Sequence, residues 1–166
     1  ANSTGTSTGV YWNAQELKAL ANFLIDDIIP DDETATAEDI ALAHYSRGMA
    51  YLILGENFSF APLEEDGQPI PASQILALAV AELNLATGGG RTMGLAAQAA
   101  LARADRWQGE ASLAASAANQ VLSSDPEFLF QQVTDANSID NSGYWFLVGR
   151  ALKEMQPLTK LDFLDP

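Results

Sequence analysis

GEASLAASAANQVLSSDP, residues Gly109 to Pro126, reads as the second half of a helix–turn–helix unit. Gly109 supplies the backbone freedom that a helix end needs. Residues Ala111 to Leu122 contain no helix breaker, and Ser123-Ser124-Asp125-Pro126 stop the helix because proline cannot continue one. Alanines recur at positions 111, 114, 115, 117 and 118, on several sides of that helix. Small side chains on several sides let neighbouring helices approach closely, as stacked helical pairs require. The stretch therefore predicts an all-α fold of helix–turn–helix repeats, and it names no reaction.

Working upstream, a fourth helix is expected from about Thr92 to Trp107, with an alanine-rich middle. The run Thr87-Gly88-Gly89-Gly90 before it permits a chain reversal; it lacks the GK[ST] and the preceding strand of a phosphate loop. A third helix begins near Pro71 to Ser73 and continues to Ala86, apolar nearly all round and so expected to be buried. Residues Asn57 to Ala72 form an insertion rich in Pro and Gly, in which Phe58, Phe60 and Leu63 suggest a short extended piece and Glu64-Glu65-Asp66-Gly67 an exposed turn. Loops held on a rigid scaffold often carry binding function, so Phe58, Phe60, Glu64 and Glu65 are the candidate binding residues.

A second helix is expected after Thr36, with Glu38 and Asp39 in its first turn, ending near Gly55. On it Gly48 would receive a neighbouring helix and Tyr51 would fill the groove. A first helix is expected from Asn13 to Ile29, capped by Asn13 with Glu16 and ended by Pro30. Its apolar positions are Leu17, Leu20, Ala21, Leu24, Ile25 and Ile28.

Residues 1–12 read as a flexible polar arm, with Val10, Tyr11 and Trp12 as a patch that pins it to the body or to a neighbour. Downstream, residues 143–153 predict a sixth helix, which completes a helical repeat domain over 13–156 with about five or six helices. Residues 157–166 read as a docking tail, with Phe163 and Leu164 as its apolar contacts. Val10, Tyr11, Trp12, Phe163 and Leu164 are the candidate assembly residues. Asn2 and Asn57 match the N-glycosylation tripeptide.

The chain has 22 acidic and 8 basic residues, a net charge of −14 that disfavours nucleic acid and anionic membranes. No apolar run reaches the roughly 20 residues that span a bilayer. With no cysteine there are no disulfides, thiolate nucleophiles or Cys-ligated metals, and no cofactor is expected. The acids from Asp26 to Glu33 lack the ligand order and central glycine of a calcium loop and read as a solvated helix end. His44 is the only histidine and reads as a packed helix residue, so no catalytic group is assigned. Trp12, Trp107 and Trp145 lie beside apolar neighbours and read as core or interface rather than as sugar-stacking platforms.

With the helices placed, Gly109, Ala114 and Pro126, together with Gly48, Tyr51 and Gly55, resemble the small-residue, aromatic and proline pattern of a tetratricopeptide repeat. Asp105 stands where that pattern usually has an aromatic. The wider layout, YSRGMAYLILGENFSFAPL followed by an interrupted turn, a helix and AAQAALARADRWQGEASLAASAANQVL, resembles the repeat portion of the SusD/RagB family over residues 13–126. Members of that family are cell-surface glycan-binding lipoproteins that work with an outer-membrane transporter.

The resemblance implies architecture, an exported setting and the transporter as a partner; no binding residue is carried over from it. The small, polar start ANSTGTSTG likewise suits an exported chain. The expectation is thus a non-enzymatic scaffold at the bacterial exterior that binds a glycan or a protein partner. The alternative is a self-assembling extracellular filament subunit, a homo-polymer joined by its arm and its terminal repeat faces.

Overall fold

The structure is a computed structural model and describes residues 4–130. The sixth helix, the tail with Phe163 and Leu164, Trp145 and Asn2 lie outside the described residues. Five α-helices make up the described fold: α1 Thr4–Phe23, α2 Ala37–Asn57, α3 Ala72–Ala86, α4 Gly90–Gln108 and α5 Ala111–Ser124. Two two-residue strands, β1 Phe60–Ala61 and β2 Ile70–Pro71, pair antiparallel inside the insertion. The all-α class is as expected.

Two of the helix boundaries have a clear local cause. At Thr36 the hydroxyl accepts from the Asp39 backbone N–H at 3.2 Å, while the Asp39 carboxylate accepts from the Thr36 N–H at 2.9 Å. This reciprocal capping box satisfies two otherwise unpaired donors at the start of α2. At the other end of the repeat unit Gly109 adopts φ 83°, where a side chain would be strained. Its N–H bonds to the Arg106 carbonyl and the next N–H to that of Asp105, which closes α4 and reverses the chain into α5.

Helix packing follows from small residues. A Cβ at Gly48 would sit 2.8 Å from Leu83 Cγ, and one at Gly55 would sit 2.7 Å from Leu76 Cγ. As the α2 position rises the α3 position falls, so the two helices run antiparallel with their leucines seated on glycines. Leu52, Leu76, Ala79, Leu83, Ala100, Leu101, Ala104 and Ala117 form the main core, drawn from α2 to α5. Asp105 is buried at its edge, and burial, aided by Glu110, raises its carboxyl pKa.

Three expectations are corrected. Helix α1 begins at Thr4, so residues 4–12, expected as an extended arm, are helical, and Asn13 lies inside the helix rather than capping it. The cause is tertiary: Tyr11, ahead of Asn13, packs edge-on against Phe58 with centroids 5.5 Å apart, and Ala14, just after it, is buried, so the helix is anchored on both sides of Asn13. Second, α1 turns its small face inward. Ala14, Lys18 and Ala21 are buried against the body, while Leu20, Phe23, Leu24 and Ile28 are exposed. The α-helix gives way to a π turn at Leu24–Ile28 and a 3₁₀ turn at Ile29–Asp31, which Pro30 enforces. Third, α3 is not buried all round, since Leu78 and Leu85 are exposed.

The seam between α2 and α3 yields a first prediction. Gly48→Ala gains about 1 kcal/mol of helix propensity. It also drives a methyl into the fully buried Leu83, an overpacking cost of about 1–3 kcal/mol. Urea denaturation is expected to show a net loss of stability. Gly88→Ala, whose nearest neighbour is a carbonyl oxygen 3.9 Å away, is expected to show none.

Candidate functional site

The insertion between α2 and α3 is pinned to the helices by its own small core. Ala61 is buried with Ala14, Leu54 and Ile75, and Phe58, Leu63 and Ile70 pack around them. The Ala72 N–H bonds to the Ser59 carbonyl at 2.9 Å and closes the base of the loop. Gln15 Nε2 donates to the Pro62 carbonyl at 2.7 Å and ties the loop to α1. The Gly67 N–H bonds to the Glu64 carbonyl at 3.0 Å and forms the expected exposed turn.

This anchoring creates a groove of about 380 Å³ between α1 and the loop, lined by Tyr11, Trp12, Gln15, Lys18, Asn22, Leu63, Glu64 and Glu65 among others. Two sets of residues singled out separately in the sequence are thereby brought together: Tyr11 and Trp12 from the candidate assembly patch, and Glu64 and Glu65 from the candidate binding loop. Trp12 is 64% exposed, so of the two uses expected for it, core or interface, it is not core; its edge-on contact with Tyr11, at 5.6 Å, orients it beside the groove. Tyr11 is used within its own chain, against Phe58. Val10 is half-buried and does not line the groove.

The groove alternates donors and acceptors. Gln15 spends its Nε2 on Tyr11 Oη and the Pro62 carbonyl, which leaves its Oε1 as an acceptor and the Tyr11 hydroxyl proton to donate. Asn22 accepts from Arg47 Nη1 at 3.3 Å through Oδ1, and its N–H groups have no partner among the described residues. Arg47 in turn donates to Glu82, which also meets His44 Nδ1 at 2.8 Å. His44 thus belongs to a polar tie between α2 and α3, as its reading as a packed residue anticipated.

Lys18 is the side chain that sequence reading missed. It is only 6% exposed, yet its ammonium makes no hydrogen bond or ion pair among the described residues. Burial lowers its pKa, and the charge of Glu64 offsets part of that shift. The available signal was its spacing: Ala14, Lys18 and Ala21 recur at helical intervals on one face.

The other expected residues are distributed elsewhere. Phe60 is exposed at the tip of β1, because alternation along the strand turns Ala61 inward instead. Phe58 and Asn57 line a second depression of about 450 Å³, with Trp107 on its wall. Asn57 is exposed, and its amide donates to the Ile53 carbonyl at 2.8 Å. Among the described residues no group of three His, Asp or Glu side chains converges as metal ligands would. In the Asp26–Glu33 segment Asp32 bonds instead to the Thr34 hydroxyl at 2.6 Å. No described helix is long and apolar enough to cross a membrane.

Lys18→Met tests the desolvation of that ammonium. Because its folded pKa lies below the unfolded value of about 10.4, the unfolded chain holds the proton over the interval between them. Stability of the wild type is therefore expected to rise with pH across that interval. The Met variant, with no charge to desolvate, is expected to lose this slope in alkaline denaturation and to be no less stable at pH 7. The chain matches no protein-family model, no curated protein and no solved structure.

Proposed function

We propose that the protein is a non-enzymatic, SusD-like helical scaffold at the bacterial cell exterior, and that it binds a glycan in the groove between α1 and the insertion loop. The observation that carries this reading is the exposed face of Trp12 beside a groove that offers both donors and acceptors. A sugar ring has an apolar C–H face, which suits an indole, and a rim of hydroxyls that donate and accept at once. Lys18, Asn22 and the Tyr11 hydroxyl supply donors; Gln15, Glu64 and Glu65 supply acceptors. A purely apolar partner would leave these groups unpaired, at a cost per buried group that argues against it. Under this reading the outer-membrane transporter of the resembling family is the expected partner.

Calorimetric titration with a panel of neutral oligosaccharides tests the proposal. At least one is expected to bind, and Trp12→Ala is expected to weaken it by about tenfold, an aromatic contact worth roughly 1–2 kcal/mol. Absence of binding across the panel, or an unchanged affinity in Trp12→Ala, would refute the groove as a glycan site.

The second reading, a self-assembling filament subunit, is favoured by one observation. Leu20, Phe23, Leu24 and Ile28 at the α1 side of the fold and Leu113 and Leu122 on α5 are exposed apolar residues. Contact between such unlike surfaces would give an open polymer. Light scattering over a concentration series separates the two readings: mass that grows without limit supports the filament, and a constant monomer mass supports the scaffold.

A further inference from the structure

We infer that the protein has a second carbohydrate site, centred on Trp107, at the start of the same insertion loop, and that the two sites together select a neutral polysaccharide over short sugars. The inference rests on the glycan reading of the groove at Trp12. Its own support is a different depression, of about 450 Å³, lined by Glu56, Asn57, Phe58, Ser59, Ser73, Trp107 and neighbours from α2, α3 and α4. Trp107, read from the sequence as core or interface, is 57% exposed. It sits in the last turn of α4, two residues before the Gly109 reversal, so its position is set by rigid helix rather than by a loop.

The polar groups around Trp107 match a sugar ring in the same way as those around Trp12. The hydroxyls of Ser59 and Ser73 and the Gln108 amide make no side-chain hydrogen bond among the described residues, so they are open to a ligand. Asn57 spends an N–H on Ile53 and keeps its Oδ1 as an acceptor. The Glu56 carboxylate is held by Arg103, whose Nε donates to it at 2.6 Å and whose second nitrogen donates to its other oxygen. This fork fixes the wall of the depression before any ligand arrives. The floor is apolar, from Leu76, Ala72 and Gly55, and a side chain at Gly55 would collide with Leu76.

The loop joins the two sites. Phe58 and Ser59, at its start, line the Trp107 depression; Leu63, Glu64 and Glu65, further along, line the Trp12 groove. Each site therefore engages a different stretch of one short segment, and a ligand long enough to reach both binds the second intramolecularly, at high effective concentration. Glu64 and Glu65 outnumber Lys18 at the Trp12 groove, the Glu56 charge at the other site is balanced by Arg103, and the whole chain carries a net charge of −14. Uronic-acid or sulfated polymers would be repelled, which leaves neutral polysaccharide as the ligand class.

The test compares wild type, Trp12→Ala, Trp107→Ala and Trp107→Phe on soluble neutral polysaccharides (dextran, mannan, xylan, mixed-linkage β-glucan) and on matching trisaccharides, by calorimetry and affinity electrophoresis. Trp107→Ala is expected to weaken polysaccharide binding by roughly tenfold or more. It should leave trisaccharide binding at the Trp12 groove unchanged, and Trp107→Phe should restore most of the loss. Wild-type affinity for polysaccharide in Trp107→Ala, while Trp12→Ala is impaired, overturns the second site and leaves the first standing. A wild type that binds no member of either panel overturns both. Circular dichroism of each variant confirms the fold, which an exposed Trp107 does not support.

Discussion

The seam between α2 and α3 is the constraint on which the rest of this structure depends. Two leucines of α3 occupy the space that side chains at Gly48 and Gly55 would fill, so the two helices lie closer than ordinary side chains permit. That approach buries Leu52, Leu76 and Leu83 into one core with α4 and α5. It also fixes the two points from which the insertion leaves α2 and returns to α3. The loop's ends are closed by the Ser59–Ala72 bond, and the short strand pair Phe60↔Pro71 and Ala61↔Ile70 follows from it. Burial of apolar surface drives the association, but the glycines decide its geometry.

A second consequence runs through α1. The loop, once anchored, presents Phe58, Ala61, Leu63 and Ile70 as a surface, and α1 lays Tyr11 and Ala14 on it. Helix α1 is thereby held by its small face and by polar ties, Gln15 to Pro62 and Asn22 to Arg47, rather than by its larger apolar residues. This is why Lys18 is buried and Leu20 is not. The arrangement costs desolvation of an ammonium and leaves leucine and phenylalanine in water, a local conflict of the kind that natural proteins tolerate mainly where a site is served. The groove at Trp12 and Lys18 is that site under the proposed function.

The two tryptophans carry the proposed function because neither is taken up by the core. Apolar neighbours in the sequence suit a tryptophan to core or interface, and the indoles of Trp12 and Trp107 each stand beside a depression rimmed with amides, hydroxyls and carboxylates. An exposed indole next to hydrogen-bonding groups suits ligands with one apolar face and a polar edge.

The sequence by itself determined that the chain is helical and where most of its helices from α2 onward start and stop. Thr36 with Asp39, Pro71 before α3, the Gly88–Gly90 reversal and Gly109 all act within a few residues, through caps, fixed φ angles or left-handed backbone, and all are legible in the chain. The receptive glycine at position 48 was legible too, since a small residue there has few other uses. Tertiary structure alone decided which face of α1 is inward, where that helix begins, and which loop residues meet which helix. Those outcomes depend on surfaces built by residues far apart in the chain: Phe58 packs against Tyr11, Ala61 rather than Phe60 turns inward, and Lys18 shares a groove with Glu64, more than forty residues away. Local periodicity carries no information about a partner that distant; only the packed core supplies it.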